Sequence, residues 1–388
     1  KVSENASIIE RAMIYDKAEI RGKATISGFA VICEEGRVFE DALVTNRARV
    51  LGTASILGQA QIKGRVQASG NARVAGVSIL DNDVWVRGEA VVEHNKLPLV
   101  DSAHIFNHAV IEQNAKVYGL ATIKDYAKVF GEAVVRESAT ISGNANIKGK
   151  SHIYGEAIVR GDAVVGGASK VDRKAIITDK AVVNNAVISG SSRIEGTSKV
   201  SKGCQVYAEG RILNSTLKTG VSVFNQAFVD SSVLDGTIVL ANSAKVSHSE
   251  LVGEKIKVAE DAVVHSVKMV GVADVQIRGI AVLSNALLNG VSQMTMNDNA
   301  EITGDSVDNR VYLMGKNLSF SGMCRIGEGV EIQGQLIVIG NHARLIGKIK
   351  VGSNVTLSEF AEIENMKPDA KTYVIKDTEM SMDNSIIL

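Results

Sequence analysis

The sequence predicts an all-β protein, a single long left-handed parallel β-helix solenoid of about 20 triangular coils. Three observations carry this: a six-residue repeat, a scarcity of proline and aromatic residues, and glycine returning at the pitch of the repeat. Every sixth residue from Ile8 to Val92 is β-branched or Leu at fourteen of fifteen positions, Ala68 being the exception. Two residues earlier runs a small column that begins Ala6, Ala12, Ala18, Ala24, Ala30. From Ala103 to Ala181 all fourteen such positions are Ala or Ser, and from Ile105 to Val183 all fourteen are Ile or Val. A period of six divides by two, so each small residue and the aliphatic two later share one side of a strand. It does not fit the 3.6-residue helical period, which excludes a helical solenoid.

Composition agrees. The 388 residues include two prolines (Pro98, Pro368), 36 glycines and 4% aromatics against 45% hydrophobic residues. A coil lined by one small and one branched residue per side has little room for rings. Gly143, Gly149, Gly155, Gly161 and Gly167 fall two after the aliphatic residue, where a chain bending every six residues needs a permissive backbone. Three equal sides close a coil of about 18 residues. At 4.7–4.9 Å between strands, the chain would make a rod about 100 Å long. Equal hexads favour the left-handed form over the usual right-handed crossover.

In chain order, residues 1–92 read as regular coils and 93–102 as a disturbed coil or short insertion. Val92 to Ile105 is thirteen residues, two hexads plus one, which reads as a single extra residue beside Pro98. Residues 103–183 are the most regular. Residues 184–290 carry a polar corner ladder (Asn185, Asn214, Ser231, His248, His265, Ser284), each five or six before a glycine. Within them 237–254, 255–272 and 273–290 read as three equal units that align Val246, Val264 and Val282, and also Leu251, Met269 and Leu287. Residues 291–322 are irregular, 323–363 are terminal coils, and 364–388 read as a cap, which solenoids need over an open end. All form one solenoid.

The 43 basic and 43 acidic residues are interspersed and cancel. That excludes the basic footprint of a general nucleic-acid binder and the polybasic stretch of a membrane-surface protein. No apolar run approaches the roughly 18 residues that span a bilayer. A cytoplasmic location is expected, with export left open because the chain begins at Lys1. Three cysteines without metal spacing read as reduced thiols. Cys204 and Cys324 fall in the inward small column, and Cys33 faces outward without an activating base.

The stretch Ile141-Ser-Gly-Asn-Ala145-Asn-Ile147-Lys-Gly-Lys-Ser151 resembles the bacterial hexapeptide-repeat proteins. The pattern of an aliphatic residue with a small one four later holds over about 280 residues. Acyltransferases of that family usually place Gly directly after the aliphatic residue, whereas here it comes two after. The chain is more similar to long, degenerate members such as the YdcK-like proteins, often called transferases. The resemblance implies a left-handed β-helix and, if it extends to activity, a histidine general base acting on an acyl-CoA under a projecting loop.

A base must lie within about 2.6–3.2 Å of the proton it takes. The best histidine cluster is His94 in the insertion, His104 on the next flat face and His108 at the following corner. Counting nineteen residues back from His104 sets Trp85 beneath it as a ligand shelf. Isolated surface groups are the plainer reading of all four. His248 and His265 suggest a two-histidine site, but they share the ladder slot of Asn and Ser and bring no third ligand, so structural hydrogen bonding is the reading and no metal is expected. Thr122 over Thr140, flanked by His104 and Ile158, is too short for an ice-binding array. Val134, Ile158, Val164, Ile176 and Val182 are outward and apolar where other coils carry polar residues, with Ile158 stacked on Ile176 and Val164 on Val182. Such surface marks a contact face.

The expected function is a structural or interaction scaffold, bacterial, cofactor-free and self-associating as a dimer or trimer with an unidentified protein partner. The alternatives are a hexapeptide-type acyltransferase using acetyl-CoA or another acyl-CoA, and a phage or secreted receptor-binding shaft.

Overall fold

The computed structural model describes residues 1–240, apart from residue 4 and residues 95–102, and beyond 240 the backbone of strands as far as Glu362–Glu364. Side chains are described through residue 240 except in those gaps and at His94, and at a few positions thereafter. Two compact units, Lys1–Gly196 and Thr197–Leu388, are taken in turn.

The first unit is a parallel β-solenoid. Its strands are mostly two residues long, such as Thr140–Ile141 and Asn146–Ile147, and are separated by tight turns. Each pairs in parallel with the strand one coil on: Ile26 lies beside Val44, and Ile123 beside Ile141, eighteen residues apart. The aliphatic column Ile26, Val44, Ile62, Leu80, Ile105, Ile123, Ile141, Val159, Ile177 is fully buried, and the alanine column is buried from Ala18 onward. Alternating a methyl with a branched side chain fills a narrow triangular interior without rings. Outside, three flat faces carry one residue per coil. The first runs Ile79, His104, Thr122, Thr140, Ile158, Ile176. The second runs Arg49, Gln67, Trp85, Val110, Lys128, Asn146, Val164, Val182. The third includes Arg73, Val91, Lys116, Val134 and His152.

Corners explain why glycine and acidic residues alternate. Asp125 adopts a left-handed backbone (φ 63°) and accepts the Gly143 amide at 3.0 Å through Oδ2. Gly143 is itself left-handed (φ 69°), and a Cβ there would lie 2.8 Å from the Gly161 backbone nitrogen. A short acceptor tolerates the left-handed corner, and the glycine above lets the next coil approach closely. Glu137 with Gly155 and Gln113 with Gly131 repeat the device.

The disturbed coil differs from the sequence expectation. Val91–His94 pairs with Arg73–Gly76 at the regular eighteen, but Ile79 pairs with His104, Trp85 with Val110 and Val91 with Lys116, all twenty-five apart. The thirteen residues from Val92 to Ile105 are one hexad plus seven, not two hexads plus one. Hydrogen-bond pairing keeps the sides aligned and leaves the surplus between them. Trp85 therefore stacks between Gln67 and Val110, not beneath His104.

The register shortens to seventeen where Lys170 pairs with Val187 and Ile176 with Arg193, as the sequence anticipated at 185–190. Asn185 adopts φ 53° at this corner and accepts the Ala168 amide at 2.9 Å.

The second unit has the same parallel pairing. Seventeen-residue steps run from Lys199 with Thr216 to Val233 with Glu250. Asn214 takes the ladder role by accepting the Thr197 amide at 3.1 Å. Further on, the equal units do not hold. A register shift between Leu251 and Gly253 opposite Met269 and Val272 adds a residue, so Val264 pairs with Leu283 rather than Val282, and Met269 with Leu288 rather than Leu287. His265 pairs with Ser247 and Ser284, and His248 lies outside the described residues. A wider step also occurs in the irregular segment, where Ile302 pairs with Ile326, twenty-four apart. The insertion near Pro98 is therefore not the sole departure from register. Cys324, Pro98, Pro368 and the expected cap beyond 364 lie outside the described residues.

Candidate functional site

The corner that precedes the second face brings together residues that are far apart in sequence. Arg47, Arg65, Asp83, His108 and Tyr126 succeed one another along it, joined by backbone hydrogen bonds from each coil to the next corner. With Arg49, Gln67, Trp85 and Val110 of the face they line a groove of about 630 Å³. That is the size of a small-molecule site.

Asp83 is the hub. Its Oδ2 lies 3.4 Å from His108 Nδ1 and also receives the Arg65 guanidinium. The His108 ring stacks on Tyr126, with centroids 4.7 Å apart and planes inclined by 19°. Trp85 is 45% exposed, and the Arg87 guanidinium sits 4.8 Å from its ring centroid, held by Glu112 at 2.8 Å. The carboxylate faces Nδ1, so Nε2 is the ring nitrogen turned away from it. Arg47 and Arg49 have no ion pair among the described residues.

Of the four residues singled out in sequence, His108 and Trp85 meet in this groove. His104 does not; it is exposed on the first face between Ile79 and Thr122. His94 ends the strand paired with Arg73–Gly76, and its side chain lies outside the described residues. Sequence reading missed Arg47, Arg49, Arg65, Asp83 and Tyr126. The signal was there as steps of eighteen (47, 65, 83) and twenty-five (83, 108), but the one-residue count sets Glu89 rather than Asp83 against His108.

The apolar outward residues stack as expected: Ile158 on Ile176, and Val164 on Val182. Each is half-buried. The pairs are short, since Thr140 and Arg193 bound the first, Asn146 precedes the second, and Val134 stands alone between Lys116 and His152. Cys33 is held above the ordinary thiol range by burial, then by Glu34 and Asp16, and burial raises Cys204 likewise. Neither is an activated nucleophile. Among the described residues no group of three or more His, Cys, Asp or Glu is placed to hold a metal, and no helix is long and apolar enough to cross a membrane.

Fold and repeat together define a parallel β-solenoid of hexapeptide repeats with a ligand-sized groove on one face. No protein-family model matches the chain. It is similar to the bifunctional protein GlmU of Clostridium botulinum, 21% identical over 217 residues, which are 52% of this chain and 39% of that protein. The chain thus spans well under half the length of this curated relative. Among solved structures, UDP-N-acetylglucosamine O-acyltransferase from Moraxella catarrhalis is 13% identical over 61% of this chain and 71% of its own, with a TM-score of 0.18. UDP-N-acetylglucosamine acyltransferase from Campylobacter jejuni is 16% identical over 53% and 67%, with a TM-score of 0.15. At these scores the fold rests on the strand register above.

Proposed function

We propose that this chain is a hexapeptide-type acyltransferase whose reaction centre is the His108–Asp83 pair. The observation that carries this is a histidine with a carboxylate oxygen 3.4 Å from its Nδ1, both lining an open groove. An acyl-CoA bound there supplies an activated thioester. The exposed Trp85 indole offers it a flat apolar contact, and the groove volume admits part of such a ligand. His108 Nε2 takes the proton of an acceptor hydroxyl or amine as its oxygen or nitrogen attacks, and the imidazolium returns that proton to the leaving thiolate. Asp83 keeps the ring in the required tautomer and balances its transient charge. The groove supports this reading over the scaffold expected from sequence, whose outward apolar pairs extend over two coils only.

The test is acyl transfer from acetyl-CoA to a panel of amino and hydroxyl acceptors, read as thiol release. His108→Ala should lower turnover by roughly 10²–10⁴-fold. His104→Ala should leave it unchanged. Equal loss in both variants, or full activity in His108→Ala, would remove the assignment.

A second reading concerns self-association through the first face, where Ile158 and Ile176 stack between Thr140 and Arg193. It is compatible with catalysis in the groove, which opens on a different face.

A further inference from the structure

We infer that the end of the groove away from His108 is an anion clamp, formed by Arg47 and Arg49, that takes the phosphate of an organic phosphate ligand. This rests on the groove's being a ligand site, as in the reading above, but not on the reaction performed there.

Charge is the first argument. Arg47 and Arg65 occupy one corner column in neighbouring coils, and Arg49 lies on the face beside them. Like charges one coil apart repel. Asp83 answers Arg65, yet it is shared with His108, and nothing among the described residues answers Arg47 or Arg49. The groove is therefore left with an excess of two fixed positive charges, or three when His108 is protonated. Guanidinium groups match oxyanions through forked donors and give up hydration more readily than ammonium, so two of them converging in a concavity suit a phosphate dianion better than a single carboxylate.

Spacing is the second. Arg49, Gln67 and Trp85 succeed one another at single-coil steps, which places the indole about 10 Å from the clamp. A ligand filling the groove thus carries its phosphate that far from a flat or apolar part. Tyr126, 59% exposed, widens the apolar end. The cations near the apolar end do not duplicate the clamp, since Arg87 is engaged by Glu112 and Trp85.

The probe is inorganic pyrophosphate, titrated calorimetrically into the full chain at constant ionic strength. Binding should weaken at least tenfold in Arg47→Gln/Arg49→Gln. It should also weaken in Arg47→Lys/Arg49→Lys, which keeps the charge and loses the fork. Circular dichroism confirms that these exposed substitutions leave the fold intact. Pyrophosphate binding that is absent in the wild type, or unaltered in both double variants, would overturn the clamp. Competition by coenzyme A or by a hexose phosphate supports it and shows which molecule brings the phosphate, whereas competition by neither rejects an organic phosphate. His108→Ala should retain pyrophosphate binding, so a failed clamp and a failed acyl-transfer centre give different results.

Discussion

His104 stacks on Ile79 across twenty-five residues of chain, and Thr122 stacks on His104 across eighteen. The seven-residue difference falls in sequence between Val91–His94 and His104–Ile105, and the paired columns on either side stay aligned. Ile105 remains fully buried above Leu80.

Removing seven residues, 95–101, should therefore return the coil to an ordinary step. Loop length alters stability only logarithmically, by about 0.6 kcal/mol per doubling. The deletion variant is expected to unfold cooperatively within a few degrees of the parent by circular dichroism. A molten or unfolded product would show that these residues complete the core.

The corner device makes an asymmetric prediction. Gly143→Val places a branched side chain on a left-handed backbone against the next coil, and should cost well over 1 kcal/mol. Asp125→Ala leaves the Gly143 amide without its acceptor and should cost about 1 kcal/mol. Chemical denaturation of both variants measures the order. Equal losses would mean that the carboxylate, not the close approach, governs the corner.

Ile158→Lys with Ile176→Lys should leave the fold intact, because both side chains lie outside the buried columns. If the first face joins copies of the chain, the same pair abolishes association. Light scattering reads the mass, and a mass equal to the parent's removes this face from consideration.

Tyr154 links stability to alkaline pH. Burial, followed by its hydrogen bond to Asp172 at 2.8 Å, raises the phenol above its ordinary value of 10.0. Between the unfolded and folded values the folded chain keeps this proton and the unfolded chain loses it, so unfolding there releases a proton. The contribution is full below pH 10 and is lost as pH rises through the folded value. Stability should decline over that window, and Tyr154→Phe should flatten the decline. A parallel decline in Tyr154→Phe would assign it to other groups.

The solenoid was legible because its determinants are local and repeated. Ala139 and Ile141 report the inward side by simple alternation, and Gly143 reports the corner by backbone freedom. The seventeen-residue shortening near Asn185 was legible for the same reason. The site was half legible. His108 and Trp85 stood out as uncommon residues near a break in the repeat, but Asp83 did not, because acidic residues fill many corners of this chain.

Sequence alone determined which residues face inward, where the chain bends and why rings and prolines are scarce, since a six-residue period of small, branched and left-handed positions satisfies only a narrow coil. Tertiary structure decided which residues become neighbours across the insertion. That choice belongs to hydrogen bonds between coils, which hold Ile79 to His104 and Trp85 to Val110, twenty-five residues apart. Once that register is set, Asp83 lies beside His108, and Arg47, Arg49 and Trp85 share one groove.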